Sequence, residues 1–400
     1  MSSRRAPWVT LGVVVTLGAA VLAVWFARPA AAPEAAPKPV PSSATPSPSP
    51  TPSATPDPWD GWTLEQQVGQ VFMVGVNVGD PKAVSTSAIR DDHVGNLFLQ
   101  GRTTAGADAV RSLVDSFTAL VGPTSTHSTP LLVATDQEGG EVQVLRGPGF
   151  STIPSALEQA SLSPAALQSR AATWGSELAA VGVNLDLAPV MDLVDGVPAD
   201  NPPVGALDRS YGFTADSVTT HANAFSAGLS SAGVGVSIKH FPGLGRVTAN
   251  TDDTAGVTDS VTTRDDASVG VFRAGIAADP MSVMVSTAIY SRIDPDNPAA
   301  FSSTVVTGML RGDLGYDGLV VTDDLSGATQ VVAWEPGERA VLALQAGVDL
   351  VLVSKDPTVA HEMVTAVLDR ARSDPAFAAQ VRAAAQRVLV AKGEWLSPAP

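Results

Sequence analysis

Side chains able to do chemistry gather in a few short stretches of this 400-residue chain. The richest reads Lys239-His-Phe-Pro-Gly-Leu-Gly-Arg-Val-Thr-Ala-Asn-Thr-Asp-Asp253. It follows the apolar run Val234–Ile238, crosses a Pro-Gly-x-Gly turn and ends in two adjacent carboxylates, Asp252 and Asp253. That order suits a strand delivering a cation, an imidazole and a loop-borne acid to one place, and loops on rigid scaffolds are where binding and catalytic groups concentrate. Two further apolar runs end in carboxylates: Leu131–Thr135 in Asp136, and Leu319–Thr322 in Asp323 and Asp324. Asp192 and Arg209 lie in a long segment between them. Each has a blander reading. An Asp pair can cap a helix, an Asp beside Gly139-Gly140 can serve a turn, and an Arg can hold a loop through a salt bridge.

The elements that must position these groups alternate. Strand-like runs occur at Val71–Val78, Val94–Leu99, Leu131–Thr135, Val183–Leu187, Val234–Ile238, Met281–Val285, Leu319–Thr322 and Val348–Val353. Their near-continuous Val, Leu and Ile content fits strands of a parallel sheet, buried on both faces. Between them lie helical periodicities. In Ala109–Val121 the residues Val110, Leu113, Val114, Phe117, Leu120 and Val121 recur at three- and four-residue steps, giving one apolar face. Segments 214–229, 267–278 and 336–347 read similarly, Gly347 as a C-cap, and 381–396 reads as a closing helix. Eight such units predict an α/β fold of the (β/α)8 barrel type, with a doubly wound open sheet as the alternative. In a barrel, residues after the strands gather at the C-terminal face. Asp136, Lys239, His240, Asp323 and Asp324 occupy such positions.

The first 58 residues read differently. Residues 6–27 carry no charge and follow Arg4 and Arg5. A helix of that length, ~33 Å, reaches across a bilayer. Residues 1–28 are therefore expected to be a cleavable signal peptide, with Ala30-Ala-Ala32 near its cleavage site, or an uncleaved membrane anchor with its arginines on the cytoplasmic side. Of residues 29–58, 26 are Pro, Ala, Ser or Thr, which cannot build a core and favour an extended, disordered tether. The folded part, 59–400, would then lie outside the cytoplasm, secreted or tethered at the cell surface. It holds 20 basic against 38 acidic residues. A surface so negative repels phosphate backbones, so no nucleic acid is expected as partner, and a neutral or partly cationic substrate suits it better. With no Cys in the chain, acylated attachment through a Cys, disulfides and thiol catalysis are all excluded. The five histidines lack metal-ligand spacing, and Gly243-Leu-Gly245 lacks the further glycine of a dinucleotide loop. No metal or cofactor is expected.

Five motifs stand in order along this pattern: Thr135-Asp-Gln-Glu-Gly-Gly140, Leu187-Ala-Pro-Val-Met-Asp192, Arg209-Ser-Tyr211, Lys239-His-Phe-Pro-Gly243 and Gly318-Leu-Val-Val-Thr-Asp-Asp-Leu325. Together they resemble glycoside hydrolase family 3, specifically its single-domain β-N-acetylglucosaminidases, over essentially all of 59–400. The resemblance implies a carbohydrate substrate and a retaining double displacement, with Asp323 as catalytic nucleophile. It implies sugar-binding roles for Asp136, Lys239, His240 and Arg209, and leaves Asp324 a supporting or capping group.

Two departures bear on mechanism. The family's loop after the Lys-His motif normally ends in Asp-Ser-His, whose His is the acid/base. Here the aligned residues are Asn250-Thr251-Asp252, and the family's His between the two glycines is Leu244. The imidazole acid is missing. Three readings follow: Asp252 is the acid/base, positioned by Asn250 or Thr251; the barrel binds glycans without turnover; or another carboxylate such as Asp253 acts. The first has a physical basis, since two carboxylates suffice for glycoside hydrolysis when one has its pKa raised. The second departure is Glu141-Val-Gln-Val144, where the family has Arg-Val-Gln-Arg. Arg146 is near in sequence but is not thereby a substitute. The expectation is a retaining β-N-acetylhexosaminidase acting on terminal β-linked N-acetylglucosamine, plausibly of cell-wall-derived glycans; the alternative is a catalytically silent glycan-binding barrel at the cell surface.

Overall fold

Each of the eight apolar runs contributes one strand to a single parallel sheet. The computed structural model describes residues 59–396; the expected N-terminal span and the Pro-rich linker lie outside the described residues. The strands are β1 (Phe72–Asn77), β2 (Asn96–Gln100), β3 (Leu132–Thr135), β4 (Leu185–Asp186), β5 (Gly235–Phe241), β6 (Ser282–Val285), β7 (Leu319–Thr322) and β8 (Val351–Val353). They neighbour one another in chain order, and β8 pairs with β1 through Phe72↔Val351 to Val74↔Val353. The β7–β8 seam is narrower. It is joined by a parallel bridge, Val321↔Leu350, and by the Thr322 N–H on the Leu350 carbonyl at 3.0 Å. The result is the (β/α)8 barrel, not the open sheet.

Alternation along the strands divides the core in two. Met73, Phe98, Leu132, Ala134, Met284, Leu319, Val321, Leu350 and Leu352 form the cluster inside the barrel. Their neighbours Phe72, Val74, Leu97, Leu99, Val133, Val320, Val351 and Val353 belong to the larger cluster under the helices. Both faces are dry, which is why the runs read as continuous rather than alternating.

Helices Ala107–Thr118, Ala215–Ser231, Ala267–Ile276 and Pro336–Ala346 match the periodic segments. Thr214 caps the second by accepting from the Ser217 N–H at 3.2 Å, and Gly347 ends the fourth at φ 108°. The closing helix begins earlier than its apolar pattern suggests, running Pro375–Leu396. The reason is local: the Asp374 carboxylate accepts from the Ala376 and Phe377 N–H groups at 3.0 and 3.2 Å, and Pro375 needs no donor there. Helix Pro164–Ala180 escapes a periodicity reading because it packs through small residues. A Cβ on Gly228 would stand 2.5 Å from the Ala171 Cβ, so this helix and Ala215–Ser231 are pressed together where side chains are nearly absent. Among the described residues no helix is long and apolar enough to cross a membrane.

The closing helix stops the barrel at the end opposite the site. Val388 and Ala391 join the interior cluster, and Arg387 donates to the buried Asp349 carboxylate at 2.6 Å, beside Arg311 at 2.5 Å. One turn on, Lys392 is buried, with no carboxylate partner among the described residues. Its ammonium donates to the Gln70 Oε1 at 2.7 Å and the Gly95 carbonyl at 2.9 Å, and desolvation lowers its pKa to about 7. The unfolded chain binds that proton up to pH ~10.4. Between the two values the unfolded state holds more protons, so stability attributable to this site rises with pH from about 7 upward. Lys392→Met is expected to flatten that rise, with the variant gaining most over the parent at pH 7 and below. Urea unfolding at pH 6, 8 and 10 reads the difference.

Candidate active site

Asp136, Lys239, His240 and Asp323 all reach the C-terminal face of the barrel, but not all by the route the sequence suggests. Lys239 and His240 lie within β5 rather than after it. The strand continues because Lys239 bridges Val190, the Met191 N–H donates to the Lys239 carbonyl at 2.6 Å, and Phe241 still pairs with Val285. Both side chains thus stand on sheet rather than on loop. The Lys239–His240 and Phe241–Pro242 peptides are cis.

A buried ion cluster organises this face. The Lys239 ammonium contacts the Asp136 Oδ1 at 2.7 Å and the Glu138 Oε1 at 2.6 Å. Glu138 in turn accepts two bonds from Arg209, Nε at 2.9 Å and Nη2 at 2.7 Å, the paired geometry that guanidinium and carboxylate favour. Arg209 also donates to the Pro203 carbonyl at 2.7 Å. Burial alone would raise the Glu138 pKa; the Arg209 and Lys239 charges overcome it and hold the group down at about 2. The same carboxylates keep Lys239 protonated, its pKa raised despite desolvation. Arg209 therefore fixes its loop by a salt bridge while remaining next to the sugar-binding candidates. Glu138 was legible only as part of the Asp-Gln-Glu-Gly-Gly string, two residues past Asp136; nothing in the string tells which of its carboxylates is shared between two cations.

Below the cluster, Asp186 at the end of β4 is fully buried. Its Oδ1 accepts from the Gln137 N–H at 2.9 Å, and its Oδ2 has no partner. Desolvation raises its pKa to about 8, and the nearby Asp136 and Glu138 charges add to that, so it is protonated at neutral pH.

His240 is oriented from behind. Asp192, wholly buried, accepts from its Nδ1 at 2.7 Å, from its backbone N–H at 3.1 Å and from the Leu244 N–H at 2.8 Å. With Nδ1 engaged by Asp192, Nε2 is the ring's remaining polar atom. Leu244 itself is buried and supplies only that backbone donor.

Asp323 follows β7 and is half-buried. Its N–H donates to the Val285 carbonyl at 2.9 Å, and its Oδ1 accepts from the Asp324 N–H at 2.8 Å. Loss of hydration raises its pKa, opposed by the His240 and Lys239 charges. Asp324 is saturated: it accepts from the Ser326 N–H and Oγ, the Gly327 N–H and the Ser354 N–H at 2.6 to 3.0 Å. A carboxylate so occupied ties the β7 and β8 loops together and has little capacity left for a substrate.

Asp252 lines a cleft of about 280 Å³ together with Asp136, Asp324, Gln100, Arg102 and Lys355. Although the residue keeps an exposed surface, partial loss of hydration among the surrounding loops, then the charges of Asp323 and Asp324, push its pKa up to about 6. Its N–H donates to the Asn250 Oδ1 at 3.1 Å, an Asx turn that supports the segment from within. Asp253 is held elsewhere, its Oδ2 accepting from the Asn250 amide at 3.3 Å. Arg146 is spent on the Gln143 and Gly140 carbonyls at 3.1 and 2.7 Å, so the turn and not the cleft has its guanidinium. Arg102, just past β2, lines the cleft instead and donates to the Glu141 carbonyl at 2.6 Å. Its place directly after a strand was the available signal for it.

Comparison with known proteins places the chain in a family. The sequence profile of the glycosyl hydrolase family 3 N-terminal domain matches residues 63–391. A β-hexosaminidase of Methylococcus capsulatus is 32% identical over 315 residues, covering 75% of this chain and 89% of its own. The crystal structure of a β-N-acetylhexosaminidase from Beutenbergia cavernae superposes with a TM-score of 0.82 at 60% identity, over 83% of this chain and 98% of that one. A family 3 β-N-acetylglucosaminidase from a Paenibacillus species superposes at 0.76 with 32% identity, over 84% of this chain and 64% of that one. The chain belongs to glycosyl hydrolase family 3.

Glu138→Gln is expected to leave the two buried cations short of a counter-charge and to lower stability by about 3 kcal/mol, the scale of breaking a buried ion pair. The contribution of the native carboxylate is fully present above its ordinary pKa of 4.5 and fades as pH falls from there toward about 2. Denaturant unfolding at pH 7 and pH 3 should therefore show a larger gap between parent and variant at pH 7.

Proposed function

We propose that this protein is a retaining β-N-acetylhexosaminidase that removes terminal β-linked N-acetylglucosamine, with Asp323 as nucleophile and Asp252 as acid/base. The observation that carries the reading is two carboxyl groups near enough to act on one another electrostatically, unlike in their surroundings. Asp323 faces the positive charges of His240 and Lys239, which favour its ionised form. Asp252 faces two carboxylates, which favour its protonated form. Burial raises both pKa values, and it is the unlike charges beside each group that distinguish nucleophile from acid. The β-hexosaminidases and β-N-acetylglucosaminidases among the relatives support the substrate class.

In the first step an Asp323 oxygen bonds to the anomeric carbon as the bond to the leaving oxygen breaks. Asp252 gives that oxygen its proton. In the second step Asp252, now a carboxylate, takes a proton from water. The water oxygen replaces Asp323 at the anomeric carbon and the glycosyl ester opens. Asp136, Lys239, His240 and Arg209 surround the sugar: Asp136 accepts from hydroxyl groups while Lys239 and the His240 Nε2 complete their hydrogen bonds. Glu138 and Asp192 hold the cations and the ring in place. The N-terminal apolar segment supports a place for this activity outside the cytoplasm, secreted or membrane-tethered, with cell-wall-derived glycans as the substrates met there.

Hydrolysis of an aryl β-N-acetylglucosaminide by the soluble domain tests the reading. Asp323→Ala should cut kcat by on the order of a thousandfold or more. No turnover by the unmodified domain, with glycan binding retained, would leave a silent glycan-binding barrel in place of an enzyme. The pH profile is a second check. The acid form of Asp252 is lost as pH rises through about 6, and the ionised Asp323 is lost as pH falls below its raised pKa, so kcat/KM should be bell-shaped with an acidic optimum. Asp252→Asn should abolish the alkaline limb on an activated aryl substrate.

A further inference from the structure

The segment after the nucleophile is tied to the segment that carries the acid. Residues Thr329–Val331 form a short 3-10 turn in the loop that follows Asp323. Both donors of Thr329 end on the Asp252 carbonyl, its N–H at 3.2 Å and its Oγ1 at 2.9 Å. The Gln330 N–H donates to the Thr251 carbonyl at 3.0 Å. The Gln330 carboxamide, itself buried, then brackets Val257: its Oε1 accepts from the Val257 N–H at 2.8 Å and its Nε2 donates to the Val257 carbonyl at 3.2 Å. One dipeptide thus holds residues 251 and 252 on one side of the acid turn and residue 257 on the other. Among the described residues the remaining donor to the Asp252 carbonyl is more distant, the Lys355 ammonium at 3.5 Å.

The consequence is geometric. The Asx turn of Asn250 shapes the loop internally but leaves it no fixed place against the barrel. The loop's other anchors lie at its two ends: Arg246 pairs with Asp195 at 2.6 Å and Asp266 at 2.8 Å, Asn201 donates to the Leu244 and Val247 carbonyls at 2.7 and 2.8 Å, and the Ile289 N–H donates to the Val257 carbonyl at 3.0 Å. Placement of the Asp252 carboxyl against Asp323 is therefore set by backbone-directed bonds from the loop of β7 itself. We propose that Thr329 and Gln330 are positioning residues that fix the acid relative to the nucleophile. The proposal rests on the reading of Asp252 as the acid.

Such a role has a signature that general loss of structure lacks. Protonation of the leaving oxygen matters for a poor leaving group and hardly at all for an activated one. The experiment compares kcat/KM on di-N-acetylchitobiose with that on 2,4-dinitrophenyl β-N-acetylglucosaminide. Gln330→Met keeps the volume and removes both bonds to Val257. It should lose about 10- to 100-fold on the disaccharide, since small misplacements of a catalytic group cost on that order, and less than about threefold on the dinitrophenyl substrate. Thr329→Val should shift the same way by a smaller factor, and Thr329→Ser should restore the parent values. Equal losses on both substrates, or no loss on either, would overturn the proposal. If circular dichroism shows Gln330→Met unfolded, the Thr329 pair decides, because that side chain is only partly buried. Asp252→Ala run alongside separates the two levels of the argument. If it lacks the leaving-group dependence, the acid assignment fails and the positioning role with it. If it shows the dependence and the clamp variants do not, only the clamp fails.

Discussion

A carboxylate shared between two buried cations holds the sugar-facing side of this protein together. Glu138 meets Lys239 and Arg209 at under 3 Å on both sides. None of the three could remain charged there alone, because an unpaired buried ion costs far more than the fold can absorb. Together they bring three distant pieces of chain to one point: the turn after β3, the strand β5 and the loop after β4. Asp136 then shares the Lys239 ammonium, so its direction is inherited from the cluster. The neutral Asp186 completes the arrangement by holding the Gln137 N–H without adding a further negative charge.

The other side of the cleft works by the opposite sign. Asp252, Asp323 and Asp324 are carboxyl groups in mutual repulsion. The structure separates their duties by what each is given. Asp324 has four donors and is structural; Asp323 has one backbone donor and the field of His240 and Lys239; Asp252 has no donor to its carboxyl among the described bonds and feels the other two. In the proposed mechanism Asp252 stands in for the missing imidazole of the loop, since repulsion and desolvation raise a carboxyl pKa toward the range an acid catalyst needs. On that proposal an acid that depends on repulsion must also be restrained, a part given to the backbone bonds from the β7 loop.

Much of this was legible in the chain. The eight strands were, because a two-faced core demands unbroken apolar runs, and so were the strand-end carboxylates Asp136 and Asp323. Strand ends were less so. Stopping β5 at Ile238 followed from its last apolar residue, whereas Lys239 and His240 extend it by pairing with Val190 and the edge of β6. The helices built on small residues, Pro164–Ala180 above all, were hidden for a related reason: periodicity reports side-chain burial, and a close helix contact made through Gly228 and Ala171 gives it little to report.

By itself the sequence determined the barrel, the family motifs and the fact that a carboxylate stands where an imidazole is usual, for these depend on residue type and order. The tertiary structure alone decided which charges are partners. Arg209 could have faced solvent, Arg146 could have faced the cleft, and Asp252, exposed like Asp253, could have stood away from Asp323 and Asp324. Pairing energies depend on distance and burial, and neither is written in the spacing of residues along a chain.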